Sequence, residues 1–143
     1  MQLTNEQWID VNEKVIEEFR ANSGRCGGHL EGNPLILLTT RGVKSGRERV
    51  TPLTYLRESG RIIIFASKAG APSDPDWFRN LQADPEVVVE IDDERFEGHA
   101  SIAAPAERER LFEEMVARFP RFGGYREATG RVIPVVILER RNR

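Results

Sequence analysis

Apolar residues recur at helical spacing at the start of the chain, where Trp8, Val11, Val15 and Phe19 are interleaved with Glu6, Asp10, Glu13, Glu17 and Glu18. Thr4-Asn5-Glu6-Gln7 has the layout of a capping box, so the pattern predicts an amphipathic helix over residues 4–20. Its apolar stripe can pack on a core or lie on a membrane surface. The carboxylates on its polar side are repelled by anionic lipid, which favours the core.

Beyond Pro34 the period shortens to that of strands. Strand patterns occupy Leu35–Arg41, Arg49–Arg57 and Arg61–Ser67, the last two joined by Glu58-Ser59-Gly60, and predict an antiparallel meander. Asp74-Pro75-Asp76-Trp77 then reads as a helix start, with Asp74 as N-cap and Pro75 at the first helical position. Asp84-Pro85 stops that helix, because the residue before proline disfavours helical geometry. Val87–Ile91 and Arg95–Ala103 form a second hairpin around Asp92-Asp93-Glu94. Pro105 opens a helix carrying Leu111, Phe112, Met115, Val116 and Phe119, and Val132–Leu138 is a final strand. Pro134 inside that strand has no N–H to donate and implies an edge or a bulge.

About six antiparallel strands with mostly hairpin connections exclude the alternating parallel sheet of a Rossmann domain. The order predicts a mainly β domain with helices, of the α+β class: a closed or split barrel formed by residues 1–143 as one unit. At 143 residues, a single core of ordinary size is expected. Hydrophobic residues make up 39% and charged residues 31%, the balance of a soluble globular protein. The first residues lack the basic-then-apolar layout of a secretory signal, and a lone Cys26 cannot close an internal disulfide, so a cytoplasmic location is expected. His29 and His99 lie at ligand spacing neither from each other nor from Cys26, and no metal site is expected.

Charge changes this picture at one place. The chain carries a net charge of −2, yet "TTRGVKSGRERVTP" gathers Arg41, Lys44, Arg47 and Arg49 around two glycines with a single anion, Glu48. Gly42-Val43-Lys44-Ser45-Gly46 looks like a fragment of a phosphate-binding P-loop but departs from it. Val43 replaces the glycine that motif requires, and a strand follows where it requires a helix. The chemistry survives the loss of the motif: glycine backbone, a hydroxyl and three or more cations on one turn can hold a phosphate. Such a turn can also be merely solvated. Nucleic acid is disfavoured, because the chain is acidic and no second basic stripe with interleaved aromatics extends the patch.

"LLTTRGVKSGRERVTPLTYL", "FASKAGAPSDPDWFRNLQADPEVVVEI" and "GYREATGRVIPVVILER", in this order from Leu35 to Leu138, resemble the deazaflavin-dependent nitroreductases, also described as coenzyme F420-dependent quinone reductases. The resemblance implies a split β-barrel of the FMN-binding type, with the coenzyme in a groove. It implies that Arg41, Lys44, Ser45, Gly46 and Arg49 hold the phosphate and acidic tail of F420. It also implies that Ser67, Lys68, Ala69, Gly70 and Ala71 meet the carbonyl-bearing edge of the ring, with Pro52, Leu53, Trp77 and Asn80 bordering the groove.

Trp77 and Asn80 lie three apart and so share a helical face, although a core role for Trp77 is equally compatible with the sequence. In the same comparison Tyr55, Ser67 and Tyr125 correspond to hydroxyl donors near the acceptor, implied to be a quinone, a nitro compound or a similar electron-poor molecule. Phe122 is a departure: tyrosines can occupy its segment, and a phenyl ring donates no hydrogen bond. An FMN-using split-barrel oxidoreductase and an F420-binding module without turnover are the alternatives. Monomer and homodimer are both compatible with the sequence. The closing run Glu139–Arg143 reads as a solvated terminus.

Overall fold

The computed structural model describes residues 4–27, 32–71 and 73–141. Its elements are α1 (Asn5–Ala21), β1 (Leu35–Arg41), β2 (Glu48–Thr54), β3 (Leu56–Glu58), β4 (Arg61–Phe65), α2 (Asp76–Ala83), β5 (Glu86–Ile91), β6 (Glu94–Ile102), α3 (Pro105–Arg118), α4 (Arg121–Thr129) and β7 (Val135–Arg140). A 3-10 turn, Lys68–Gly70, separates β4 from α2. Among the described residues the strands form one antiparallel sheet in the order β2-β1-β5-β6-β7-β4-β3. The sheet is therefore seven-stranded, against the six expected.

The extra strand comes from the segment Arg49–Arg57, which is divided at Tyr55. Its first part pairs with β1, Leu35 facing Thr54, and its second part pairs with β4, Leu56 facing Ile63. One chain direction thus joins the two ends of the sheet, which curls into a split barrel instead of running on as a meander. Pro134 lies one residue before β7, and β7 is an interior strand between β6 and β4. No bulge is needed, since the Pro134 carbonyl only has to accept the Ala66 N–H at 2.9 Å. At α2 the cap is Pro75 and the helix begins at Asp76, one residue later than expected.

Strand alternation sorts the core into an inner and two outer clusters. Ile36, Leu38, Ile62, Ile64, Val87, Val89, Val136 and Leu138 point inward onto Trp77, Phe78 and Leu81 of α2. Ile63, Phe65, Val135 and Ile137 point outward beneath α3 and α4, meeting Leu111, Phe112, Met115 and Phe122. Leu35 and Leu37 face α1 through Phe19, with Val15 and Ile16 partly buried beside it. The capping box is formed, with Gln7 N–H on Thr4 Oγ1 and Thr4 N–H on Gln7 Oε1. Val11, expected on the packed stripe, is instead exposed. Among the described residues no helix is long and apolar enough to cross a membrane.

Candidate functional site

In this all-antiparallel order β1 and β4 run the same way, so the turn after β1 and the loop after β4 emerge from one end of the barrel. The first is the basic turn and the second carries Ser67–Ala71. Helix α2 connects them physically. Its Asn80 is buried at 7% exposure, donates to Thr40 Oγ1 at 3.2 Å and accepts the Val43 N–H at 3.2 Å.

The basic turn is closed by its own backbone. Gly42 N–H bonds Arg47 O at 2.8 Å, Gly46 N–H bonds Gly42 O at 2.9 Å, and Arg47 N–H bonds Ser45 Oγ at 3.1 Å. Gly46 has φ +70°, a conformation that side chains resist. Among the described residues the Lys44 and Ser45 N–H groups have no partner, and Ser45 keeps its hydroxyl hydrogen.

Arg41, Lys44, Arg47 and Arg49 are exposed and form no ion pair among the described residues. Many arginines elsewhere are matched, Arg20 to Glu90, Arg61 and Arg110 to Glu58, Arg131 to Asp74, Arg140 to Glu94 and Arg141 to Glu86, while the other cations without an ion pair among the described residues, Arg25, Arg57, Lys68, Arg118 and Arg121, are not gathered on one turn. Four unmatched cations with free amides between them form a local positive field on an acidic protein, the donor set that a polyanion requires.

At the second loop, Lys68 has φ +46°, unusual for a residue with a side chain, and Gly70 has φ +82°. A Cβ at Gly70 would stand 3.1 Å from Ala128 Cβ and 3.2 Å from Tyr125 O, so glycine permits α4 to lie directly on the loop. Ser67 is buried, and Tyr125 is partly buried against Phe122, ring centroids 5.1 Å apart. Tyr55 stands where β2 becomes β3, beside the C-terminal half of β4 whose exit is Ser67, and Arg57 approaches its ring at 5.9 Å. Ser67 and Tyr125 thereby lie on touching elements, the loop after β4 and α4, whereas Tyr55 packs on the inner core cluster and Tyr125 on the outer one.

Other residues singled out from the sequence lie differently. Trp77 is buried among Ile36, Leu38 and Phe78, a core position. Pro52 and Leu53 are successive residues of β2 and point to opposite faces. Leu53 packs on the inner core, whereas Pro52 opposes Leu37 on the side covered by α1. Phe122 is core, packed edge-on against Phe65. His99 is exposed beside Glu86 at 3.1 Å, Arg140 and Arg141 are tied to β5–β6 carboxylates, and His29 lies outside the described residues. The Cys26 thiol is buried, and burial together with nearby Glu18 raises its pKa, an inert setting for a thiol.

Arg131 was not anticipated. Its guanidinium donates to Ala71 O at 3.0 Å, Ala66 O at 3.0 Å, Ser67 O at 3.1 Å and Asp74 Oδ1 at 2.7 Å. Thr129 Oγ1 adds a bond to Ala71 O at 2.7 Å. No spacing rule links residue 131 to a loop some sixty positions earlier, so local pattern carries no signal for it.

A family model described as F420H(2)-dependent quinone reductase matches residues 12–140. The chain belongs to this family. An F420H(2)-dependent quinone reductase of Mycobacterium tuberculosis (strain H37Rv) is 36% identical over 129 residues, covering 86% of this chain and 85% of its own length. Among solved structures, an F420-H2 dependent reductase, FDR-A, is 37% identical with a TM-score of 0.68 over 79% of this chain and 100% of its own. A second, described as a domain-swapped dimer, is 33% identical with a TM-score of 0.70 over 95% of this chain and 100% of its own. Membership makes the chain an oxidoreductase of the F420H2-dependent quinone reductase type and agrees with the split barrel built from its registers.

Proposed function

We propose that Arg41, Lys44 and Arg49, with the Lys44 and Ser45 amides and the Ser45 hydroxyl of a turn shaped by Gly46, hold the phosphate and glutamate tail of reduced F420, and that Ser67–Ala71 meet its ring. The reading rests on the four unmatched cations at the end of the barrel from which the Ser67 loop also emerges. Free Lys44 and Ser45 amides and the Ser45 hydroxyl suit phosphate oxygens, and each charge-assisted bond contributes about 1.5–3 kcal/mol. Two or three of them fix an anionic tail firmly while leaving chemistry to the other loop.

When bound, the reduced coenzyme supplies the hydride that a quinone accepts. The chain's own task is orientation and charge. Tyr55, Ser67 and Tyr125 are the hydroxyl groups proposed to donate to the quinone oxygen as it becomes negative. Lys68, exposed on its turn, adds a cation near the ring. Asn80 acts behind the site, bracing the turn that holds the tail.

Titration with F420, followed by oxidation of its reduced form with menadione, tests this reading. Saturable binding and quinone-dependent turnover are the expected results. Binding without turnover would leave a coenzyme-binding module, and a purified protein with ordinary flavin absorption would point to FMN.

A further inference from the structure

Three carbonyls of the Ser67 loop converge on one cation. In a trans peptide the C=O and N–H of the same unit point in opposite directions. Arg131 Nη2 takes Ala66 O and Ser67 O together, so the N–H groups of Ser67 and Lys68 are turned away from the guanidinium, to the other side of the loop. Among the described residues neither N–H has a partner. Ser67 has helical geometry, φ −77° and ψ −33°, which is what allows two consecutive carbonyls to face the same nitrogen. A carbonyl that accepts from a cation also polarises its own peptide, making the N–H on the far side a better donor.

The remaining bonds fix the other boundary of the loop. Arg131 Nε and Thr129 Oγ1 share Ala71 O, and Arg131 Nη1 is held by Asp74 just before α2. The side chain is 16% exposed, so these bonds are largely shielded from water. Asp74 offsets the charge of Arg131, which leaves orientation as its main contribution. The fork geometry of guanidinium is specific to this task, since a lysine ammonium cannot reach three carbonyls and a carboxylate with the same planar spread.

We infer that Arg131 is a positioning residue: by gripping the carbonyls of Ala66, Ser67 and Ala71 it presents the Ser67 and Lys68 N–H groups as a paired donor site for the carbonyl edge of the deazaflavin ring. This rests on the proposed placement of the ring at Ser67–Ala71. It assigns the ring's orientation to a residue that touches no coenzyme. Loss of that orientation should act on chemistry and ring affinity, and leave the tail site at Arg41–Arg49 as it was.

The test compares wild type, Arg131→Met and Arg131→Lys with two probes: F420 itself, and the deazaflavin fragment that ends at its ribityl chain and lacks phosphate and glutamates. In Arg131→Met, kcat with menadione should fall roughly ten- to a hundredfold, the scale of a misplaced reacting group. Fragment affinity should fall with it, while the salt dependence of F420 binding stays at the wild-type slope. Arg131→Lys should recover only a minor part of kcat. An Arg131→Met protein with native circular dichroism and wild-type kcat and fragment affinity would overturn the inference.

If Arg131→Met does not fold, Arg131→Lys carries the comparison. A folded lysine variant at wild-type fragment affinity and kcat overturns the inference, and a loss of both at unchanged salt slope supports it. The two readings fail separately. A wild-type protein that binds F420 through its tail but shows no affinity for the fragment removes the role of Arg131 and spares the basic turn. A wild-type protein that binds neither probe removes the proposed function as well.

Discussion

Asn80 of α2 and Thr40 of β1 are joined by a buried bond, Nδ2 to Oγ1 at 3.2 Å, and the same amide accepts the Val43 N–H of the basic turn. A helix packed inside the barrel thus reaches the turn that presents Lys44 and Ser45. Replacing Asn80 with leucine leaves a buried hydroxyl and an amide N–H unpaired, a cost of about 1–3 kcal/mol. Asn80→Leu should lower stability by that order in chemical denaturation and weaken F420 binding, with a smaller effect on the ring fragment.

Lys44→Ala combined with Arg49→Ala removes two of the turn's four unmatched cations. Binding of F420 should weaken, and its decline between low and high salt should become shallower, because fewer tail charges remain to be screened. Fluorescence titration at several ionic strengths measures both. Equal affinity to wild type at every salt concentration would exclude this turn as the tail site.

Glu58 joins β3 to α3 and β4. Its carboxylate accepts from Arg110 at 2.8 and 2.9 Å and from Arg61 at 3.2 Å. The hydrogen bond from Arg110 is the largest influence, and it holds Glu58 down at about 2 against the opposing effect of burial. A carboxylate depressed in the folded state contributes stability that is complete above its unfolded value of about 4.3 and is lost as pH falls toward 2. Stability measured from pH 6 to pH 2 should therefore decline less steeply in Glu58→Gln than in wild type, with the difference confined to the acid limb.

Phe112, on the sheet-facing side of α3, is 1% exposed, edge-on to Phe65 at 5.9 Å and covered by Arg126 at 4.0 Å from its ring. Phe112→Ala should cost about 3–5 kcal/mol in denaturant unfolding. This outer cluster also seats α4 on the Ser67 loop, so reduced turnover should accompany the lost stability.

Much of the architecture was legible because local chemistry determined it. The Thr4–Gln7 capping box, the Pro105 helix start and the β1–β2 hairpin form as their residues imply. The division at Tyr55 was not legible, because a strand that exchanges one hydrogen-bonded neighbour for another keeps its alternation unchanged. Nor was α4, whose RFGGYREAT contains two helix-weakening glycines and is held by Phe122 and Tyr125 against the outer sheet face. At the site, the charge of the basic turn was visible at once, whereas bracing by Asn80 and the grip of Arg131 depend on contacts between distant segments. Leu53 and Pro52 were set along one groove by the resemblance, and strand alternation turns them to two faces of the sheet.

The most direct test is a titration of the purified protein with F420 across a range of salt, followed by addition of menadione to the reduced complex. Saturable uptake that weakens as salt rises, with quinone-dependent oxidation of the coenzyme, is the predicted result. Absence of uptake at low salt by a folded protein would contradict the tail site, the ring site and the reductase chemistry together.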